Sequence, residues 1–246
     1  MKDGKIFITG ASSGIGKALA EALAVPDCTL GLAARRMERL QQLKGELEAR
    51  GATVFVYQVD VRDAKAMEQA VDAFANSAGG ITHMIANAGV KSGGRLAGGT
   101  AERLTDVFAV NVIGVINSLV PAANRMVEQQ SGHLVSIGSV AGFRGIPGRS
   151  DYNASKSAVQ IMMDGFRLEL RAQGVKVTNI CPGFVESEMT GTNNFHMPFF
   201  LKADKAARLI VKAIQRNKKT YIFPWQWRVL LPIIVRLPDW LVPQVR

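Results

Sequence analysis

The sequence is poor in cysteine, histidine, tyrosine and tryptophan, and each shortage narrows what the chain can be. Its two cysteines, Cys28 and Cys181, stand far apart in apolar surroundings. They have neither metal-ligand spacing nor the density of a disulfide framework, so both read as small core residues. The three histidines, His83, His133 and His196, also lack metal-like spacing, and no metal site is assigned. The opening stretch MKDGKIFITG is charged and then only briefly apolar, without the roughly 7–15-residue apolar core of a secretory signal. With so little cysteine, this predicts a cytoplasmic protein. No linker, repeat or low-complexity tract interrupts the chain, which predicts one domain over residues 1–223 and a distinct tail over 224–246. Negative charge is also short: twenty Asp and Glu face thirty Lys and Arg, a formal charge of +10. Such an excess points to an anionic partner, such as a phosphorylated cofactor, an acidic substrate or an anionic surface. The basic residues are spread along the chain and form no nucleic-acid module, so nucleic acid is set aside.

Apolar, β-branched runs alternate with longer helical patterns. Strands are predicted at 5–9, 29–34, 53–60 and 220–223, strands running into small-residue turns at 82–89, 133–142 and 176–183, and helices at 15–24, 38–50, 64–77, 101–129, 151–172 and 203–216. Strands separated by helices of ten or more residues mean βαβ units, hence an α/β fold: a doubly wound, Rossmann-like parallel sheet of about seven strands. Ligands of such sheets bind beyond the carboxyl ends of the strands.

Three stretches at strand ends or on the following helices carry chemistry. TGASSGIG (9–16) follows the first strand and opens the first helix. Gly10, Gly14 and Gly16 permit a tight turn that lets backbone N–H groups approach a phosphate. An ordinary glycine-rich turn would look the same; its place after the first strand favours a dinucleotide. The second strand ends AARR, with Arg35 and Arg36 where an NAD site usually carries an acid for the ribose 2′-hydroxyl. A guanidinium there suits a 2′-phosphate, so NADP(H) is favoured over NAD(H), with Arg35 ranked ahead of Arg36. Finally, SDYNASKSA (150–158) sets Tyr152 and Lys156 four residues apart, on one face of a helix. A phenol ionises near pH ~10, and an adjacent ammonium favours the phenolate, so the pair can act as an acid/base.

Taken together, TGASSGIG (9–16), DV (60–61), NAG (87–89), Asn111 in VNVIG, Ser139 in SIGSVAG, YNASK (152–156) and PG (182–183) appear in the order found in short-chain dehydrogenase/reductases. The chain resembles the compact, single-domain members of that family. The resemblance implies hydride transfer between a nicotinamide cofactor and a carbonyl or secondary alcohol. Tyr152 would be the general acid/base, Lys156 its partner and a hold on the nicotinamide ribose, and Ser139 the polarising hydroxyl. Asn111 matches the family residue tied to a local helix distortion. Ser136 is the competing serine, and strand alternation favours Ser139. Cofactor contacts are implied at Thr9, Gly10, Ser12, Ser13, Gly14, Ile15 and Gly16, at Asp60 and Val61 by the adenine, and at Asn87, Ala88 and Gly89. Pro182, Gly183, Val185 and Ser187 would follow along the nicotinamide, Ser187 standing where threonine is frequent. A homodimer or homotetramer is also implied. The rival from another class is a cofactor-binding sensor or scaffold without turnover, against which the complete Ser, Tyr and Lys set argues.

Residues 188–203, EMTGTNNFHMPFFLKA, occupy the place of the family's substrate-covering segment, and their apolar content suits either an apolar substrate or packing on the core. The tail, 224–246, carries all three tryptophans and prolines at 224, 232, 238 and 243, which exclude a long regular helix. It reads first as a subunit contact or a cap on the substrate cleft, and second as a peripheral membrane contact.

Overall fold

The computed structural model describes residues 3–91 and 94–241. Pro243 of the tail lies outside them. The described chain runs β1 (Lys5–Thr9), α1 (Gly14–Leu23), β2 (Thr29–Ala34), α2 (Met37–Glu48), β3 (Thr53–Gln58), α3 (Ala64–Ala78) and β4 (His83–Ala86). There follow α4 (Ala101–Phe108), a π-turn (Ala109–Ile113), α5 (Gly114–Glu128), β5 (Gly132–Ile137), α6 (Ser150–Glu169) and β6 (Val175–Pro182). The chain ends with α7 (Glu188–Gly191), α8 (Ala203–Gln215), β7 (Thr220–Phe223) and α9 (Trp225–Ile234).

The strands form one parallel sheet in the order β3-β2-β1-β4-β5-β6-β7. Both faces are covered, which is why Ile6, Phe7 and Ile8 in β1 are all fully buried rather than alternating. Burying each such side chain contributes about 1.5–3 kcal/mol. One core lies under α1, α2 and α8, the other under α3, α5 and α6. Helix ends follow local chemistry: Asp63 accepts from the Ala66 N–H at 2.9 Å to start α3, and Gly79, at φ 68°, ends it. Chain order reverses between β1 and β4, and the crevice at their carboxyl ends is where the site forms.

Several expected boundaries shift. The third strand stops at Gln58, releasing Val59, Asp60 and Val61 toward the crevice. The fifth runs, as expected, into a turn: it stops at Ile137 and Ser139 caps a short 3₁₀ turn at Val140–Phe143. The helix expected over 101–129 is broken by the π-turn around Asn111. By length and composition Ala101–Glu128 could cross a bilayer, yet its Val115, Leu119, Ala122 and Met126 are buried in the second core. The prolines of the tail bracket a ten-residue helix, with Pro224 just before it and Pro232 in its last turn. Cys28 and Cys181 are buried, as expected. His133 is buried as well and His83 half-buried, and this lowers His83 to about 4 and His133 to about 3, leaving both neutral at pH 7. His133 bonds Thr178 at 2.8 Å and His83 bonds Thr82 at 2.9 Å.

Candidate active site

The glycine turn works because two of its glycines have left-handed backbones, Gly10 at φ +66° and Gly14 at φ +53°. A Cβ on Gly10 would come within 2.8 Å of the Ala88 Cα, so the turn lies directly on the end of β4. The two strand ends are tied together. Thr9 Oγ1 accepts from the N–H groups of Asn87 and Ala88 at 3.1 and 3.2 Å, and Asn87 Nδ2 donates to the carbonyls of Thr9 and Gly10 at 2.9 and 3.2 Å. Ser13 precedes α1 without capping it; its hydroxyl accepts from Arg36 at 2.9 Å instead. The first-turn N–H groups of α1 therefore face the crevice without intrahelical acceptors, an arrangement suited to a phosphate.

The crevice holds about 390 Å³. Of the residues expected there, Gly10, Ser12, Ser13, Gly14, Ile15, Arg35, Arg36, Asp60, Val61, Asn87, Ala88 and Gly89 line it. So do Ser139, Tyr152, Lys156, Pro182, Gly183, Val185 and Ser187. Thr9, Gly16 and Asn111 do not; they stand behind the lining and hold it. Asn111 is fully buried, accepting from the Val90 N–H at 2.8 Å and donating to the Val90 carbonyl at 3.0 Å and to Ser155 Oγ at 3.1 Å. Ser155 Oγ in turn donates to the Tyr152 carbonyl at 2.8 Å. The distortion around Asn111 thus braces both the loop after β4 and the helix carrying Tyr152.

At the other end of the crevice, α6 presents Tyr152 and Lys156 together, with Lys156 Nζ 5.8 Å from the Tyr152 ring centroid. The Ser139 hydroxyl, held by the Ala141 N–H at 3.1 Å, lies beside the phenol. Ser136 points away, buried and donating to Asn179 at 2.9 Å. The electrostatics correct one expectation. Burial raises the Tyr152 phenol above its ordinary value, opposed by the neighbouring Ser139 hydroxyl and the Arg149 charge. Lys156 lies beside the ring and donates to the Ile137 carbonyl at 2.9 Å. Burial also lowers Lys156 to about 8, so it keeps its proton at pH 7 and loses it as pH rises through that value.

At the adenine end the two arginines differ in their contacts. Arg36 reaches Ser12 at 3.1 Å and Ser13 at 2.9 Å, whereas the Arg35 side chain lines the crevice without a hydrogen bond among the described residues. Arg62 holds the Asp60 carboxyl below its usual range through bonds of 2.7–3.1 Å.

The segment after β6 and the tail meet beside Gly183, at the edge of the crevice. Phe184 packs on Phe195 and Trp227, with ring centroids 5.9 and 6.3 Å apart, and Phe199 meets Trp227 edge-on at 5.8 Å. Trp227 lies against Gly183 so closely that a Cβ there would overlap its indole. Arg144, five residues after Ser139, donates to the carbonyls of Ile234, Val235 and Leu237 at 2.7, 3.1 and 2.6 Å and pairs with Asp239 at 3.0 Å. His196 is exposed on this segment. Sequence reasoning missed Glu188, which pairs with Arg36 and Arg39, as well as the Arg144 clasp and the Trp227 contact. Only the acid opening a short helix after Ser187 hinted at the first.

Residues 5–197 match the family model for short chain dehydrogenase. An uncharacterized oxidoreductase of Myxococcus xanthus is 40% identical over 240 residues, 95% of this chain and 92% of that protein. A Burkholderia phymatum short chain dehydrogenase/reductase in complex with NAD superposes with a TM-score of 0.86 at 29% identity, covering 94% of this chain and 93% of that one. A Sphingobium yanoikuyae short-chain dehydrogenase in complex with NADPH does so at 0.82 and 28%, covering 95% and 96%. The glycine turn, the seven-stranded sheet and these similarities agree: the chain belongs to the short-chain dehydrogenase/reductase family and is an NAD(P)-dependent oxidoreductase.

Proposed function

We propose that the protein is an NADP(H)-linked carbonyl reductase or alcohol dehydrogenase acting on an apolar substrate through Ser139, Tyr152 and Lys156. The observation that carries this reading is the meeting of these three side chains in the same crevice as the glycine turn. The residues fit a nicotinamide dinucleotide: Gly10 leaves no room for a side chain beside Ala88, and the α1 N-terminus offers free donors. When bound, the nicotinamide supplies or accepts the hydride. Tyr152 gives a proton to the substrate oxygen in reduction and takes it back in oxidation. Ser139 Oγ already accepts from Ala141, so its own proton can be given to that oxygen and polarise it. Lys156, with one proton on Ile137, has two others for the nicotinamide ribose. Asn111 is a positioning residue. The segment 188–203 and Trp227 form the apolar wall of the substrate end.

Preference for NADP(H) follows from Arg35 and Arg36 and from the lack of an acid at the end of β2. Titrating NADPH and NADH against intrinsic fluorescence should give tighter NADPH binding; tighter NADH binding would refute it. A screen of carbonyls and alcohols of graded chain length then identifies the substrate class.

The tail supports two readings at once. Its inner face caps the substrate end through Trp227. Its outer face exposes Trp225, Val229 and Ile233, spaced by four, beside Arg228 and Arg236, which suits either a second copy or an anionic membrane surface. On anionic liposomes the protein should float at low salt and be released at high salt, with zwitterionic liposomes inert. No flotation at low salt removes the membrane reading, and the mass from light scattering then reports the homo-oligomer.

A further inference from the structure

Glu188 opens α7, on the segment that covers the substrate end, yet its carboxylate reaches back to the adenine end of the crevice. It accepts from Arg36 Nη1 at 2.9 and 3.3 Å and from Arg39 Nη1. The same Arg36 donates to Ser12 and Ser13, so two guanidinium groups hold one carboxylate and one of them is itself held by two hydroxyls. A second cavity of about 320 Å³ adjoins them, lined among others by Ser12, Ser13, Lys17, Arg39 and Glu188. This is an anion seat whose occupant is supplied by the protein. The side chains of Arg36, Arg39 and Glu188 are each 42–54% exposed, so the pairing is weak enough to exchange for a stronger anion.

We propose that Glu188 is a specificity-determining residue that occupies the 2′-phosphate seat, so that a 2′-phosphorylated cofactor displaces it and releases α7, whereas a cofactor with a free 2′-hydroxyl leaves it latched. The inference rests on the dinucleotide reading above but not on which cofactor the protein prefers. A phosphate offers about two charges and three acceptor oxygens to Arg36 and Arg39, against the single charge of the carboxylate. The penalty for displacing Glu188 falls on NADP(H) alone, and it loosens the segment over the substrate end as that cofactor arrives.

The test uses adenosine 2′,5′-bisphosphate and AMP as probes, with affinities from calorimetry on the wild-type protein and Glu188→Gln. The variant keeps the size of the side chain and removes its charge. It should bind the bisphosphate roughly five- to tenfold more tightly, since removing a like charge a few ångströms away is worth about 1 kcal/mol, while AMP changes less than about twofold. Hydrogen exchange supplies the second readout: in the wild-type protein the bisphosphate should raise exchange over residues 188–191 and AMP should not. Equal changes for both probes, or none, overturn the proposal. The two readings fail separately. A wild-type protein that prefers NADH while Glu188→Gln still gains bisphosphate affinity refutes the NADP(H) preference and leaves the latch. One that prefers NADPH while Glu188→Gln changes nothing does the reverse.

Discussion

Tyr152→Phe should lower kcat by about 10²–10⁴-fold while leaving NADPH affinity within a few-fold. The change removes one oxygen from a ring already held against the crevice wall, and it leaves the glycine turn, Arg36 and Lys156 as they are. What is lost is the proton that the substrate oxygen must gain or give up. Lys156 cannot replace it, because its Nζ is anchored on the Ile137 carbonyl beside the ring and its two other protons are those offered to the nicotinamide ribose. Ser139 cannot either, since a hydroxyl that is a hydrogen-bond donor to the reacting oxygen has no acidity near neutral pH. Steady-state rates on a substrate from the screen, set beside fluorescence titration with NADPH, make the measurement. Turnover that survives would disprove the mechanism. A binder without turnover, the rival function, would show no rate in either protein.

Gly16→Ala should weaken NADPH binding by about 10–100-fold, corresponding to the ~1–3 kcal/mol that overpacking costs. Gly16 does not touch the crevice, yet a Cβ there would strike the Gly10 carbonyl oxygen and come within 2.5 Å of Asn87 Nδ2. Those two groups are bonded to each other and hold the phosphate turn onto β4. The added methyl must push the turn away from the strand that sets its height. Gly45→Ala, in the middle of α2, is the control, because a Cβ there meets nothing within 4 Å. That substitution should raise stability by about 0.5–1 kcal/mol, as expected for an unobstructed helix glycine, and leave cofactor affinity unchanged. Thermal melts and NADPH titrations on both variants separate the two effects. Equal NADPH affinity in Gly16→Ala and the wild type would mean that the turn does not need its seat on β4.

Where the sequence was legible, the signal was local. β1, β2 and β7 were read to the residue, because each is a short apolar run closed by a charge, a glycine or a proline. Tyr152 and Lys156 were read from helical spacing, and Ser139 was separated from Ser136 by strand alternation and the small residues that follow. What was missed depends on the fold bringing distant residues together. Arg36 and Glu188 are 152 residues apart, and Arg144 lies about 90 from the carbonyls it holds. No pattern in the chain announces either contact. Nor does any pattern show that, of the neighbouring Arg35 and Arg36, it is Arg36 that meets Ser12 and Ser13: residues where a strand passes into a helix diverge, and only the folded turn tells them apart. Spacing also says that a cation is near Tyr152, but not that burial outweighs the charges and hydrogen bonds around the phenol.

The π-turn at Ala109–Ile113 has a further consequence for the phase of the helix that contains it. A π-turn holds one residue more than an α-turn, and one residue of helix is a rotation of about 100°. The pieces before and after it are therefore out of step, as though one residue had been slipped into an older, regular helix. This lets α4 pack on α6 while α5 turns its apolar side to α3, two neighbours that a single unbroken stripe would serve less well. The extra residue also turns Asn111 inward, at the cost of regular backbone hydrogen bonds, to bond with Val90 and Ser155. Removing one residue from this turn would restore an ordinary helix and rotate Asn111 off its partners. The helix is thus kept locally less regular than its sequence allows, and the site gains its brace from that irregularity.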